Sequence, residues 1–512
     1  MKASSLSPGN GHGLARWRWA DLVVLLVVGS IAAVLRSHEL DRPGIWFDES
    51  SSCRWIQFPM LELFQRTAAD CHPPFYWVLL KAWAALFGDT IGSLRFMSGV
   101  FGVATVCAVY GLVRDLPLLT DEGNSTVGSD RFAAILASLL VATSPFHIEW
   151  SQEMRMYSLG TFFAVTSTWL LALALRSDRS GMATWCGYWL IGILSLYTLY
   201  FSLFTLLAHG VFVTTRCVLC GKWSGRYFVT VLAILLAWLP WIPSLWSMYG
   251  TVQVSFPQGP LTWLEFRDVF WSMFVQQGFP VSDNLAKIAL IEICASVVVM
   301  LILSGSPDRV LVALCAFVPF YAISNVSFLS QNLVARHRLI LGQVFLLICW
   351  AMFVRRFRPS WLRWSVATIS VLSSCWMTTY YFAYRDSKAA LPGLRAAMNF
   401  IDRTRSNDEP AVFVNPMLYL NGLVYASDSR NIFAMGQRND YPYFQGSSLT
   451  RDADHLKLTD IPTTTAVVWV IDADNWMGSS WHVPMPREWH LVTEDRFPEF
   501  YCEIVVKLYR RN

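Results

Sequence analysis

Residues 22–35 read LVVLLVVGSIAAVL, an uncharged stretch that decides the class of fold. Arg16 and Arg18 precede it and no small-residue cleavage pattern accompanies it, which favours an uncleaved first membrane span over a signal peptide. With 54% hydrophobic and only 15% charged residues, the chain of 512 is more apolar than an average globular domain. The sequence therefore predicts an integral membrane protein. The net charge of +4 is spread along the chain and gives no indication of nucleic-acid binding.

The same signal recurs further along the chain. Each run comes near the ~17 to 25 residues that a spanning helix needs. The eight runs are 96–113, 132–146, 156–175, 227–248, 288–306, 310–330, 339–354 and 364–384. A longer run, 181–215, contains His209 as its only Asp, Glu, Lys, Arg or His and predicts a hairpin of two helices that turns near residues 197–202. The total is about eleven spans.

Basic residues set the orientation, because cytoplasmic loops of membrane proteins are enriched in Lys and Arg. With a cytoplasmic N-terminus at residues 1–20, the inner segments hold fifteen Lys and Arg and the short outer loops hold five. Eleven spans then place the C-terminus outside the cytoplasm. We expect a multi-pass protein of the cell inner membrane with a transmembrane domain at 21–384.

The first outer loop, 37–93, is polar and contains the stretch GIWFDES at 44–50. Its apolar segment 75–87 is too short to cross a ~30 Å hydrocarbon core and predicts an interfacial helix. Cys53 and Cys71 lie in this loop, and whether they form a disulfide stays open at this point.

From Arg385 the composition becomes that of a soluble domain. Residues 392–405 have helical spacing, whereas 411–414 and 466–471 are short apolar runs typical of buried strands. We therefore expect a small C-terminal α/β domain at 385–512 on the outer side.

Charged residues converge on the outer side from several segments. They are Asp48 and Glu49, then His72, then Glu149, Glu153 and Arg155, then Arg336, His337 and Arg338. Ionisable groups at membrane depth usually find partners or face a polar cavity, so this convergence indicates a site. The alternatives are a solvated acidic loop, a helix-capping pair of Glu153 with Arg155, and an Arg336 that reaches ordinary lipid head groups.

The motifs in this order resemble the protein mannosyltransferases that use dolichyl-phosphate-mannose, and their bacterial relatives the aminoarabinose transferases, all of the GT-C class. The resemblance covers residues 20–385. Its motifs are Trp46-Phe47-Asp48-Glu49, His72-Pro73-Pro74-Phe75-Tyr76-Trp77, Ser93-Leu94-Arg95-Phe96, Ser151-Gln152-Glu153-Met154-Arg155-Met156-Tyr157 and Ala335-Arg336-His337. Such enzymes move a sugar from a polyprenyl phosphate to an acceptor on the outer face, with inversion at the anomeric carbon.

The resemblance implies roles for single residues. Asp48 is the candidate general base, with Glu49 beside it and Glu153 as a further catalytic carboxylate. Arg155, Arg336 and His337 are candidates for binding the donor phosphate, because guanidinium groups match phosphate geometry. His72 and Tyr157 are candidates for binding substrate. The acceptor is a protein, a lipid or a glycan.

Two positions depart from the aminoarabinose transferases. Those enzymes have Lys before Pro-Pro, preceded by a metal-binding Glu, whereas this chain has His72 preceded by Cys71. A divalent metal therefore stays open, with His72 as the one candidate ligand. They also have an acidic residue at the position of Tyr157, so a second carboxylate here would have to be Glu153 or Glu149.

Two other functions remain alternatives. A transporter or flippase would show internal repeats and broken helices in both halves, and the sequence shows no such repeat. A glycan polymerase or ligase on a related plan would differ mainly in its acceptor.

Overall fold

A computed structural model describes residues 18–70, 72–116, 130–176, 181–255, 260–275, 284–329, 332–441, 443–476 and 479–512. The helices of the first 389 residues form one bundle with short helices at one end. They are Trp19–Ser37 (α1), Phe47–Gln57 (α2), Met60–Ala68 (α3), Phe75–Phe87 (α4), Ile91–Asp115 (α5), Arg131–Thr143 (α6), Pro145–Ser151 (α7), Tyr157–Leu175 (α8), Met182–Leu196 (α9), Ser202–Cys220 (α10), Gly225–Trp238 (α11), Ile242–Ser255 (α12), Trp263–Ser272 (α13), Asn284–Leu303 (α14), Pro307–Leu329 (α15), Ile340–Val354 (α16) and Ser360–Ala389 (α17).

Every run predicted to span a membrane is mainly helical in the described ranges. By length and composition, eight helices there could cross a membrane, or nine if α6 and α7 count as one bent span. α9 has only 15 residues, and α17 has 30 residues but is not among the eight. The multi-pass helical fold is confirmed, whereas the count of eleven spans stays a prediction.

The predicted hairpin in 181–215 is present, because α9 ends at Leu196 and α10 begins at Ser202. Its turn lies against α4, since the backbone N–H of Phe75 donates to the carbonyl of Tyr197 at 3.0 Å. The most buried apolar helices are α5, α8 and α16, which form the centre of the bundle.

The bend between α6 and α7 positions the functional region. The two helices meet at 59° around Ser144 and Pro145. Proline has no N–H to continue the helix, and the Ser144 hydroxyl instead accepts the N–H of His147 at 3.4 Å. The bend is followed at the end of α7 by residues 152–156, which contact α2. We call this end of the bundle the site end.

The first outer loop is more ordered than the sequence predicts. The helix predicted at 75–87 is present as α4, and two helices that were not predicted, α2 and α3, precede it. Serine usually disfavours helix interiors because its hydroxyl competes for backbone groups. In α2 the hydroxyl of Ser51 donates back to the carbonyl of Phe47 at 2.8 Å, and that of Ser52 donates to Met154 at 2.8 Å.

Cys53 lies in α2, where its buried thiol contacts the Met154 sulfur at 3.8 Å. Burial raises the pKa of Cys53 to about 12, so the thiol stays protonated. Cys71 lies outside the described residues, so the question of a disulfide between Cys53 and Cys71 lies outside them as well.

The C-terminal region is an α/β domain, as predicted. Its helices and strands are Gly393–Thr404 (α18), Ala411–Phe413 (β1), Pro416–Tyr425 (α19), Ile432–Met435 (β2), His455–Leu456 (β3), Val467–Trp476 (β4), Ser479–Trp481 (β5), Trp489–Pro498 (β6) and Glu503–Arg511 (β7). The sheet order is β3-β2-β1-β4-β7-β6, parallel from β3 to β4 and antiparallel beyond, with β5 on β4. The boundary at 384/385 stays a prediction, because α17 continues to Ala389.

This domain contacts the site end directly. Arg54 of α2 pairs with Asp454 at 2.7 Å, and Arg66 of α3 donates to the carbonyl of Ser448 at 2.6 Å. The hydroxyl of Tyr425 accepts the N–H of Ile45 at 2.6 Å, just before α2 begins. The C-terminal domain thus fixes the segment that carries the Asp-Glu pair.

Candidate active site

Asp48 and Glu49 lie in the first turn of α2, which favours carboxylates because the helix N-terminus carries partial positive charge. Neighbouring residues on a helix point about 100° apart. The side chain of Asp48 is 32% exposed, whereas that of Glu49 is 1% exposed. The two carboxylates therefore occupy different environments.

Glu49 is held in a buried ion pair. Its two oxygens accept from Nε and Nη2 of Arg95 at 2.8 and 2.6 Å, and one also accepts the N–H of Met154 at 3.1 Å. Arg95 additionally donates to the carbonyls of Leu40 and Gly44, at 2.6 and 3.1 Å. This pair ties the loop before α2 to α5 and to the segment after α7.

Arg155 connects Asp48 to His72. Its Nη2 lies 3.5 Å from an Asp48 carboxylate oxygen and 3.2 Å from Nε2 of His72. Its Nη1 also donates to the backbone carbonyl of Asp48 at 3.2 Å. His72 lies edge-on to Trp77, with 5.6 Å between ring centres, and 3.8 Å from Asp70. The guanidinium is 4% exposed, so this contact is largely shielded from water.

An aromatic cluster extends from Arg155. The guanidinium of Arg155 lies 5.9 Å from the ring centre of Tyr157, and the Tyr157 ring lies 4.8 Å from that of His337. His337 also packs against Trp150 at 5.4 Å. His337 is in electrostatic range of four basic residues: His72, Arg155, Arg336 and Arg338. The structure therefore brings together the predicted phosphate-binding and substrate-binding residues.

Arg336 is paired rather than open. Its Nη2 and Nη1 contact the Glu149 carboxylate at 2.7 and 3.4 Å, and both side chains are mostly buried. Its guanidinium also lies 5.4 Å from the ring centre of Phe146. Glu149 thus fixes the orientation of the Arg336 fork and offsets part of its charge.

Glu153 is half-buried, and its Oε2, which is buried, has no hydrogen-bond partner among the described residues. Burial, followed by the charges of Glu49 and Glu149, raises the pKa of Glu153 well above its usual value. A raised pKa favours the protonated form, which makes Glu153 a weaker candidate for the general base than Asp48.

The described part of the chain places His72 in no cluster of metal ligands. Among the described residues, no group of three or more His, Cys, Asp and Glu side chains could hold a metal ion. The nearest basic neighbour of His72 in this region is Arg155, a residue that does not ligate metals.

Sequence reasoning missed the role of Arg95 and of Gln152. Both belong to quoted motifs, but neither was assigned a function. Gln152 donates to the carbonyl of Leu35 at 3.0 Å and accepts the hydroxyl of Tyr381 at 2.7 Å, which joins α1, α7 and α17. The available signal for Arg95 was a basic residue directly before the apolar run 96–113.

Solved structures of other proteins share this fold. The fold is similar to ArnT from Cupriavidus metallidurans in the apo state, with a TM-score of 0.61, 11% identity, and coverage of 95% of this chain and 98% of that chain. The same protein bound to undecaprenyl phosphate gives a TM-score of 0.58 at 11% identity, over 95% and 97% of the two chains. The archaeal oligosaccharyltransferase AglB from Archaeoglobus fulgidus, solved with an inhibitory peptide and a dolichol-phosphate, gives 0.54 at 12% identity, over 94% and 80%.

The chain therefore has the GT-C type of fold that these proteins share. Residues 71–242 match the family model described as dolichyl-phosphate-mannose-protein mannosyltransferase. No curated protein sequence matches the chain. The predicted resemblance to glycosyltransferases that use polyprenyl-phosphate sugars is confirmed.

Proposed function

We propose that the protein is an inverting glycosyltransferase that moves a sugar from a polyprenyl-phosphate donor to an acceptor on the outer face of the cytoplasmic membrane. The observation that carries this proposal is the contact of Asp48 with Arg155 and of Arg155 with His72, at the end of a GT-C bundle. It places one accessible carboxylate beside a cluster of basic groups. The family match to residues 71–242 supports the donor class.

Asp48 is the general base in this proposal. It takes the proton of an acceptor hydroxyl as that oxygen attacks the anomeric carbon from the face opposite the phosphate. The new glycosidic bond forms while the bond to the phosphate oxygen breaks, and polyprenyl phosphate leaves with the electron pair. A single displacement of this kind needs one carboxylate near the nucleophile and inverts the anomeric carbon.

The leaving phosphate needs positive charge more than it needs a strong acid. Arg155 and Arg336 supply it, and both lie in electrostatic range of His337. Burial and the neighbouring positive charges lower the pKa of His337, so its ring contributes to phosphate binding as a hydrogen-bonding group and not as a cation. His72 and Tyr157 line the sugar position between them. Glu49 acts through Arg95 as a positioning residue, and Glu153 takes no step as a base.

Arg336→Lys should weaken donor binding, because lysine keeps the positive charge but lacks the planar guanidinium fork. Binding of a polyprenyl phosphate to the purified protein measures this effect. Arg338→Lys is the matched control, since Arg338 donates to the backbone carbonyl of Leu333.

The Glu149→Gln variant tests whether Arg336 binds the donor phosphate or serves only as the structural ion-pair partner of Glu149. If Arg336 binds phosphate, removal of the Glu149 charge should leave donor affinity equal or higher. Unchanged affinity in Arg336→Lys, together with lost stability in Glu149→Gln, would instead reduce Arg336 to a structural partner of Glu149.

The proposed orientation is tested by reporter fusions. A reporter that is active only outside the cytoplasm should be active after Asn512 and silent after Arg356, because the arginines at 355–363 hold their loop in the cytoplasm. Equal activity at both positions would overturn the topology.

The activity itself is tested with purified protein, synthetic polyprenyl-phosphate sugars and a membrane extract that supplies the acceptor. A transferase breaks the bond between sugar and phosphate and yields polyprenyl phosphate, which mass spectrometry detects. A flippase would move the intact lipid between leaflets without that product. Turnover of a diphosphate-linked oligosaccharide alone would point to a polymerase or ligase.

A further inference from the structure

A basic cavity lies at the end of the bundle opposite the site end. Its volume is about 690 Å³. It lies where α16 ends and where α15 and α17 begin. The lining residues are Arg309, Arg355, Arg356, Phe357, Arg358, Pro359, Ser360 and Arg363. We call it the arginine cavity.

Five guanidinium groups line the arginine cavity, and two carboxylates lie close by. Asp130 pairs with Arg355 at 2.5 Å, and the buried Asp308 accepts the hydroxyl of Ser306. Like charges gathered in one concave surface repel each other unless an anion joins them. The five guanidinium groups exceed the two carboxylates by three charges, and this excess of positive charge favours a bound anion.

The backbone adds to this preference. α17 is 30 residues long and begins at Ser360, which lines the cavity. The first turn of a helix leaves N–H groups without partners in the helix, and these groups bind phosphate oxygens well. Arg363 lies in the same first turn, 5.0 Å from the ring centre of Phe132, and its buried Nε has no hydrogen-bond partner among the described residues.

From this arrangement we propose that the arginine cavity is a binding site for a phosphate group, separate from the proposed active site. Guanidinium forks and helix N–H groups match the tetrahedral oxygens of a phosphate ester. Arg356 and Arg358, both exposed in the link between α16 and α17, contact the ligand most directly. The phosphate belongs to an anionic lipid head group or to a soluble phosphate, and both have the same recognition chemistry.

The test uses the full-length protein in neutral detergent and native mass spectrometry with added phosphatidylglycerol or phosphatidylcholine. We expect retention of phosphatidylglycerol over phosphatidylcholine, and an approximately 10-fold loss of that retention in Arg356→Gln/Arg358→Gln, from two lost charge-assisted contacts. The matched control is Lys222→Gln/Arg226→Gln, which removes two exposed charges at the same end of the bundle.

Two outcomes would overturn the proposal. One is equal retention of the two lipids, and the other is an equal loss in both double variants, which would show general attraction of anions. Melting temperatures without added lipid check that the variants are folded.

Addition of inorganic phosphate identifies the source of the ligand. Displacement of phosphatidylglycerol by millimolar phosphate, absent in Arg356→Gln/Arg358→Gln, supports a site for soluble phosphate. Selective lipid retention that resists inorganic phosphate supports a head-group site.

Discussion

Asp48→Asn should lower the rate of sugar transfer by about 10² to 10⁴, the usual contribution of a general base. Asparagine keeps the size of the side chain but lacks the basic oxygen that takes the acceptor proton. Donor binding should survive, because the phosphate contacts in the proposal come from other residues. Transfer from a radiolabelled lipid-linked sugar in membranes measures the effect.

Asp89→Asn is the matched control for Asp48→Asn. Asp89 is exposed in the same loop and should tolerate the change. An Asp48→Asn variant that transfers sugar at the normal rate would remove Asp48 from the chemistry. If Glu49→Gln alone were inactive although folded, the roles of the two carboxylates would be reversed.

Glu49→Gln should act mainly on stability, because it leaves the guanidinium of Arg95 buried without its charged partner. Breaking a buried pair in this way costs about 3 to 5 kcal/mol. We expect less folded protein and a lower melting temperature, with a smaller loss of transfer rate per folded molecule than in Asp48→Asn. Fluorescence-detected gel filtration after heating measures the amount of folded protein and its melting temperature. The membrane assay measures the transfer rate.

A double-mutant cycle checks the cause. Glu49→Gln combined with Arg95→Met removes both charges and should cost less than the sum of the two single changes. Additive losses would show that the Glu49–Arg95 pair is not the source of the instability. Arg95 also holds the carbonyls of Leu40 and Gly44, so some loss in the double variant is expected.

The apolar framework was predictable because an uncharged run long enough to span a membrane needs no tertiary information. Residues 22–35 and the hairpin in 181–215 were found in this way. The helix α2 was not, because its serines are favourable there only through burial and contacts such as that of Ser52 with Met154. The helix propensity of single residues contains no information about such tertiary contacts.

The residues of the site were predictable from sequence motifs, but the contacts between them were not. The motifs identified Asp48, Arg155, His72 and Arg336, and the structure brings the first three into contact. The sequence distinguished Asp48 from Glu49 only through the resemblance, and both lie in the first turn of one helix. What separates them is the pairing of Glu49 with Arg95 across 46 positions of the chain, which no spacing rule reveals.

The C-terminal sheet shows the same limit. The buried parallel strands β1 and β4 appear in the sequence as short apolar runs, and they were predicted. β6 is mostly exposed on both faces and pairs with β7, so its sequence carries little apolar alternation. Its place at the sheet edge depends on β7 and not on its own pattern.

The most direct test of the central claim is mass spectrometry of polyprenyl-phosphate sugars in a strain that lacks this protein. We expect one polyprenyl-phosphate monosaccharide to accumulate because its acceptor reaction is missing. The intact gene should return this lipid to its normal level, whereas the Asp48→Asn gene, expressed to the same level, should not. An unchanged lipid profile in the deletion strain, or full restoration by Asp48→Asn, would contradict the account.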